Sequence, residues 1–480
     1  MLTTLLIVLP LVAALVVWAA PLPREATALL AILAALAEVV LWIVALVGFD
    51  FDSPRLQDSA QHVWFGDLGV TYHVGFYGFS LWLAGLTVVV GAAAIGFGAW
   101  VGRDRARAYF GLMLFLIGAV VGVFASQDLL LFYVFFEAML IPIYVLVGVW
   151  GGPGRIRATV TFVIYTMAGS LLMLASIVVF GISQGTFSLI ESGTSGNDWV
   201  FLGFLVAFAV KAPLLPFHGW LRTAYTEAPP EVAALLSGVV SKAAVFGLVW
   251  IVLPHFPGPV DSWRPVVLVV AAAGLVYGAL LAFRQPDIRG VIAYSSMSQM
   301  SLIVLGIFAA NDLGLDGAIL HSVSHGLVSA AMFLLAAMLI QRTGTDRFAD
   351  LGGLAKGRPA LATGVMVGGM LTLAVPGSAN FAGEFSILAG VFTEGWGYSA
   401  VGAGAIVLAA MYTLRLISAV LHRDRGAAVR EESLDLRFGE LALLVPLVAI
   451  LLALSAWPAA ISERSFPGDQ PTAAISEVTR

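Results

Sequence analysis

The sequence has no cysteine and few charged residues, and each shortage excludes a class of protein. Without Cys among its 480 residues, the chain cannot form a disulfide, a thiolate zinc site or a cysteine-ligated iron–sulfur cluster. It also lacks the strand–glycine–helix fingerprint of nucleotide-binding domains. Only 11% of the residues are charged whereas 60% are hydrophobic, a composition that excludes an ordinary soluble globular protein.

Long apolar segments make up most of the chain, and its mean hydropathy is +0.97. Because a membrane-spanning helix needs about 20 apolar residues, the sequence predicts an all-α polytopic membrane protein of about fourteen transmembrane helices. The first apolar segment has no basic leader and no cleavage site, so we expect it to be helix 1 and not a signal peptide. Predicted helices 1 to 14 cover residues 2–20, 26–48, 78–101, 108–126, 128–150, 158–182, 199–221, 230–254, 263–283, 289–310, 315–341, 359–391, 398–421 and 438–460.

The distribution of Lys and Arg predicts how these helices are oriented. Cytoplasmic loops of membrane proteins collect basic residues, and alternate loops of this arrangement hold most of the 24 Lys and Arg residues. The opposite loops hold only Arg55, Arg264, Arg464 and Arg480, together with acids such as Asp67. We therefore expect an integral protein of a bacterial plasma membrane with both termini on the outer side.

Two of the predicted helices contain a proline interruption near a charged residue. Pro213 and Pro216 follow Lys211 in helix 7, and Pro376 precedes Glu384 in helix 12. Proline cannot donate a backbone hydrogen bond, so both helices should kink or open. Interrupted spans at matching positions are typical of inverted repeats. The sequence thus predicts a single membrane domain over 1–480, with helices 1–3 in 1–107, two inverted five-helix repeats in 108–254 (helices 4–8) and 263–422 (helices 9–13), and helix 14 in 438–460.

Ionisable residues inside the predicted helices are the candidate functional groups, since such residues are costly in a bilayer and are usually functional. We expect Glu137, Lys211, Lys242 and Glu384 to carry protons along a hydrated track between the helices. Glu137 and Lys211 could act as a switch, because moving two opposite charges apart changes how firmly the lysine holds its proton. The alternative is that all of these charges form structural ion pairs that hold kinked helices together.

His321 and His325 lie four residues apart and therefore share one face of helix 11. Imidazole titrates near neutral pH and has two nitrogens, which suits the pair to proton relay. Packing inside the bundle is an open alternative, and so is a metal or haem ligand pair, although no further His or Cys cluster completes such a site. Glu38, Arg415 and His218 are equally open to a structural and a functional interpretation.

Four segments of the chain resemble the antiporter-like subunits of respiratory complex I and of multisubunit Na⁺/H⁺ antiporters. They are Phe136–Pro142 (FEAMLIP), Lys211–Leu221 (KAPLLPFHGWL), Ile292–Met300 (IAYSSMSQM) and Ser324–Gly326 (SHG). The resemblance implies an acid in helix 5, lysines in helices 7 and 8 and a terminal ionisable group in helix 12. Those positions hold Glu137, Lys211, Lys242 and Glu384. A Glu at the last position resembles the chain M branch of the NADH-quinone oxidoreductases, whereas Tyr77 and Gln299 depart from the usual pattern of Asp and His.

The resemblance implies a proton-translocating membrane subunit of an NADH-quinone oxidoreductase that carries no redox centre itself. Flavin, iron–sulfur clusters and quinone would be bound by partner subunits. The chain would contact sibling antiporter-like subunits and lipid, and we expect no nucleic-acid partner. Three alternatives stay open: a subunit of a multisubunit cation/proton antiporter, a subunit of a membrane-bound hydrogenase-type complex, and a membrane scaffold whose buried charges are structural.

Overall fold

A computed structural model describes residues 1–66, 69–430 and 434–466, and most of this part of the chain is helical. Asp67 and Arg480, which the sequence placed on the outer side, lie outside the described residues. The helices are α1 (Leu2–Ala19), α2 (Arg24–Gly48), α3 (Gly78–Val101), α4 (Ala106–Ala125), α5 (Leu129–Trp150), α6 (Arg155–Gln184), α7 (Asp198–Lys211), α8 (Pro230–His255), α9 (Pro257–Arg284), α10 (Ile288–Phe308), α11 (Asp312–Thr343), α12 (in two halves, Pro359–Thr372 and Ala379–Phe392), α13 (Trp396–His422) and α14 (Phe438–Ala456).

Twelve of the helices in the described residues are long and apolar enough to cross a membrane. The helical membrane fold that the sequence predicted is therefore confirmed. The remaining two segments, α7 and α12, are the ones in which proline predicted an interruption. The exact count of fourteen spans and the inverted repeat stay predictions.

The interruption after α7 is closed by new hydrogen bonds. The helix ends at Lys211, and a short helix, Leu221–Glu227, resumes after a stretch of turns. The carbonyl of Ala209 accepts the Leu214 N–H at 2.9 Å, and the carbonyl of Val210 accepts the indole N–H of Trp220 at 3.0 Å. These donors replace partners that an unbroken helix would supply, so the opened backbone is satisfied inside protein.

The interruption in α12 uses side chains in the same way. Asn380 donates its amide N–H to the Leu371 carbonyl at 2.9 Å, which joins the start of the second half to the end of the first. The Ser378 hydroxyl accepts the backbone N–H of Phe381 at 3.2 Å and so caps the second half. Because Glu384 lies in the first turns of that half, the break fixes where its carboxyl enters the bundle.

A β-hairpin between α2 and α3 adds to the all-α prediction. Strand β1 (Gln57–Phe65) pairs antiparallel with β2 (Val70–Phe76), with Gln57 opposite Phe76 and Val63 opposite Thr71. The segment 49–77 lies between predicted helices 2 and 3, and its two strands are too short to resemble an apolar membrane-spanning segment.

Two buried helices form the centre of the bundle. The long helix α11 packs against α3, α8, α10, α14 and the second half of α12. Helix α8 contains two π-helical turns, Leu236–Val240 and Leu248–Val252, and Lys242 lies between them. Such turns widen a helix and are frequent at functional sites, so they support Lys242 as a candidate functional residue.

An ion pair fastens the start of α8 to the loop between α3 and α4. The fully buried carboxylate of Glu231 accepts bonds from Arg103 Nε at 2.6 Å and Nη2 at 2.9 Å, and from the Tyr109 hydroxyl at 2.6 Å. A bidentate, charge-assisted contact of this kind sets geometry as well as energy.

Candidate functional site

Lys242 is the most deeply buried lysine of the chain and has defined partners. Its ammonium donates to the Ser237 carbonyl at 2.8 Å and to the Ser241 hydroxyl at 3.3 Å. A third bond of 3.0 Å joins Nζ to His325 Nδ1. Since an ammonium has no acceptor atom, His325 accepts at Nδ1 and carries its own ring proton on Nε2. Helices α8 and α11 are therefore joined by a contact along which a proton can move.

The two histidines of α11 continue this contact along the helix. The rings of His321 and His325 are stacked with centroids 6.0 Å apart and an angle of 28° between planes. Both side chains are buried. Within 1–66, 69–430 and 434–466, no cluster of three or more His, Cys, Asp or Glu side chains that could hold a metal ion is found.

Gln299 of α10 bridges His321 to the acid of the broken helix. Its amide oxygen accepts from His321 Nε2 at 2.7 Å, and its amide nitrogen donates to Glu384 Oε1 at 3.1 Å. An amide has one acceptor end and one donor end, so both contacts fix its orientation. Gln299 departs from the His that the family resemblance leads one to expect, and in the structure it connects two of the candidate residues.

These contacts form one continuous line of buried polar groups, which we call the polar line. It joins four helices and consists of Lys242, His325, His321, Gln299 and Glu384. A cavity of about 20 Å³ beside it is lined by Ser295, Gln299, His325, Asn380 and Tyr412 among others. That volume holds about one water, and the polar lining offers the hydrogen bonds that a buried water needs.

A cluster of hydroxyl groups touches the line at Lys242. The Ser237 hydroxyl lies 2.6 Å from that of Ser329 and donates to that of Ser296 at 3.0 Å. In the cavity wall, Ser295 and Tyr412 are bonded at 2.8 Å. The sequence analysis did not single out these residues. The signal that could have found them is the row of serines in the otherwise apolar α10, between Ser295 and Ser301.

Glu137 and Lys211 lie in the first half of the chain and are not part of the polar line. Lys211 is buried, and its ammonium lies 4.7 Å from the ring centroid of Phe136. Glu137 is half-buried and close enough for the two charges to interact. No direct ion pair joins them in the described part of the chain. Lys211 and Glu137 are thus two charges that interact without a direct salt bridge, and the ammonium lies over the ring of Phe136.

The other three ionisable candidates lie away from the polar line. Arg415 stacks its guanidinium against the rings of Phe283 and Phe348 and donates to the Phe283 carbonyl. His218 lies in the interruption after α7, with its ring 5.4 Å from that of Tyr277. Glu38 is buried in α2, and neither of its carboxyl oxygens has a hydrogen-bond partner among the described residues.

Comparisons with known proteins identify the family of the chain. Residues 126–411 match the family model described as NADH:quinone oxidoreductase/Mrp antiporter, TM. NADH-quinone oxidoreductase subunit M of Mycobacterium tuberculosis is 41% identical over 377 residues, covering 74% of this chain and 68% of the relative. The same-named protein of Rhodobacter capsulatus is 34% identical over 448 residues, covering 89% of this chain and 87% of the relative.

A solved structure is similar along almost the whole chain. One chain of respiratory complex I from Thermus thermophilus with bound NADH superposes with a TM-score of 0.91 and 30% sequence identity. The match covers 99% of this chain and 100% of that chain. The fold that surrounds the polar line is therefore the fold of that chain of the complex.

Proposed function

This chain belongs to the NADH:quinone oxidoreductase/Mrp antiporter transmembrane family, and on that basis we propose that it translocates protons as the antiporter-like subunit M of an NADH-quinone oxidoreductase. The single observation that supports proton translocation is the polar line from Lys242 to Glu384. Quinone reduction would take place in partner subunits, which would bind the flavin, the iron–sulfur clusters and the quinone. This chain would provide one proton pathway across the membrane, and its sibling subunits would provide the other pathways.

The proton steps follow from the donors and acceptors in the line. Lys242 Nζ gives a proton to His325 Nδ1 across 3.0 Å, which leaves a neutral amine and an imidazolium. The next transfer is from His325 to His321, whose ring centroids are 6.0 Å apart. It needs a ring rotation or an intervening water. Glu384 then accepts the proton as the last group of the line, in a step that needs a water, because the amide of Gln299 between His321 and Glu384 does not bind a proton. Each step moves one proton between groups that can bind it reversibly.

Glu137 and Lys211 have a different role in this proposal. Two opposite charges that interact inside a bilayer change the proton affinity of the lysine when they move apart. Helix α7 ends at Lys211, so a movement of this helix end would displace the ammonium relative to Glu137. We infer that partner subunits drive the passage by shifting this pair, and that the outer side receives the protons.

The orientation and location of the chain are part of the proposal. The loops that carry Arg24, Arg103 and the other basic residues would face the cytoplasm of a bacterium. Both termini would then lie outside.

Co-purification tests the assignment to a redox complex. We expect the affinity-tagged chain to bring down flavin and iron–sulfur subunits, measured by absorbance spectra and peptide mass spectrometry. Small antiporter subunits without any flavin or iron–sulfur protein would instead support a cation/proton antiporter and contradict the proposal.

Gln299 gives a test within the polar line. Gln299→Leu removes both bridging hydrogen bonds, so we expect about a tenfold slower rate of proton pumping by the assembled complex in vesicles. Gln299→His keeps a ring that can donate and accept, and at least half of the wild-type rate should remain. The matched control is Gln341→Leu, an exposed glutamine on the same chain. Equal rates for wild type and Gln299→Leu would exclude a role for this bridge.

A further inference from the structure

A cavity at one end of the bundle is lined by three arginines that the polar line does not use. It has a volume of about 480 Å³ and lies where α1 ends and where α2 and α4 begin. Arg24, Arg105 and Arg107 line it together with Trp18 and Leu22. Since all three helices begin or end here, the cavity lies at the level of the membrane surface, on the side predicted to be cytoplasmic.

The arginines of this cavity, here called the arginine cavity, have free charges. All three are exposed, and none of them takes part in an ion pair within residues 1–66, 69–430 and 434–466. The neighbouring acid Asp104 forms no ion pair with them and accepts the indole N–H of Trp150 at 2.8 Å. The result is a local excess of positive charge.

Backbone geometry holds two of the arginines in place. A Cβ added to Gly102, which has φ of 72°, would lie 1.5 Å from Arg24 Nη2, so the guanidinium rests directly on the connection between α3 and α4. Arg105 in the same connection has φ of 48°, a conformation that L residues rarely adopt and that is retained mostly for a reason. Arg24 and Arg105 are thus brought together by the fold.

Next to the arginine cavity, α1 presents an apolar face. Val12, Leu15 and Val16 are exposed by 48%, 60% and 46%. Trp18 stacks on Phe115 with centroids 6.2 Å apart, which fixes an indole at the boundary between the charged and apolar parts. Tryptophan and arginine at helix ends are typical of the membrane interface.

We propose that the arginine cavity binds the phosphate group of an anionic phospholipid, whose acyl chains lie along the exposed face of α1. Guanidinium groups bind phosphate oxygens in charge-assisted, often bidentate contacts, and basic pockets between helices on the cytoplasmic side bind anionic headgroups. Inorganic phosphate carries the same kind of charge, but it has no apolar part that could pack against Leu15 and Val16. A lipid uses both parts of the site.

Native mass spectrometry of the purified full chain in detergent tests this. We expect phosphatidylglycerol to bind more tightly than phosphatidylcholine. The triple variant Arg24→Gln, Arg105→Gln, Arg107→Gln should weaken phosphatidylglycerol binding about a hundredfold, at about fivefold for each arginine removed. Binding of phosphatidylcholine should not change. If the triple variant fails to fold, Arg107→Gln alone should show the fivefold loss.

Two further variants complete the design. The control Arg157→Gln, Arg284→Gln, Arg423→Gln removes the same charge from exposed positions of the same predicted side and should change binding less than twofold. Replacing the three arginines of the cavity by lysine should restore most of the affinity. An equal loss in the control, an unchanged affinity in the triple variant, or full displacement of lipid by millimolar inorganic phosphate would each overturn the proposal.

Discussion

Lys242→Ala is expected to slow proton translocation at least a hundredfold, to background. Lys242 is the group that joins α8 to His325, at 3.0 Å, and alanine has neither a proton to give nor the length to reach. Removing a positioned proton donor typically costs about two to four orders of magnitude in rate. The measurement is acidification of vesicles that contain the assembled complex, recorded together with NADH oxidation.

Lys242→Arg separates conduction from a structural role of the charge. Arginine keeps the positive charge but does not release its proton in a protein, so this variant should also fail to pump. Lys356→Ala serves as the matched control, because this lysine is exposed in the loop before α12. Normal pumping by Lys242→Arg would mean that only the charge matters, and the relay through this residue would be wrong.

Arg103→Ala is expected to destabilise the chain by about 3 kcal/mol, because it leaves the Glu231 carboxylate buried without its bidentate partner. Glu231 has a fully buried side chain, while that of Arg103 is 20% exposed. The midpoint of thermal aggregation of the purified chain should fall by roughly 5 °C. Fluorescence-detected size exclusion after heating measures that midpoint directly.

Replacing both Arg103 and Glu231 distinguishes two causes of instability. One is the loss of the ion-pair attraction, and the other is the cost of leaving the Glu231 charge buried without a partner. The double variant Arg103→Met, Glu231→Gln has no ion to leave unpaired, so most of the stability should return. Arg157→Ala, an exposed arginine on the same predicted side, should change the midpoint little. If the double variant is as unstable as Arg103→Ala, the stability does not depend on the pairing of Glu231.

The spans could be predicted from the sequence because a bilayer imposes one length and one polarity on every crossing helix. The interruptions after Lys211 and before Glu384 were equally predictable, since proline removes a backbone donor wherever it lies. The buried charges stood out against apolar neighbours for the same reason. The hairpin of β1 and β2 was missed, because extramembrane segments obey no such constraint.

The contacts of the site could not be predicted in the same way. Whether Gln299 reaches His321 and Glu384 depends on how α10, α11 and α12 are rotated about their axes, and composition does not fix those rotations. The π-helical turns on either side of Lys242 shift the phase of α8, so extrapolating from a regular helix would misplace its side chain. The proposed switch between Glu137 and Lys211 likewise depends on a separation that sequence spacing leaves open.

The most direct test of proton passage along the polar line is the rate of proton pumping by the complex that carries Glu384→Gln. This substitution keeps the side-chain volume and an oxygen that can accept from Gln299, but it removes the group that binds a proton. We predict that the assembled complex pumps at least tenfold more slowly in vesicles. Pumping at the wild-type rate, with wild-type turnover, would contradict proton passage through this residue.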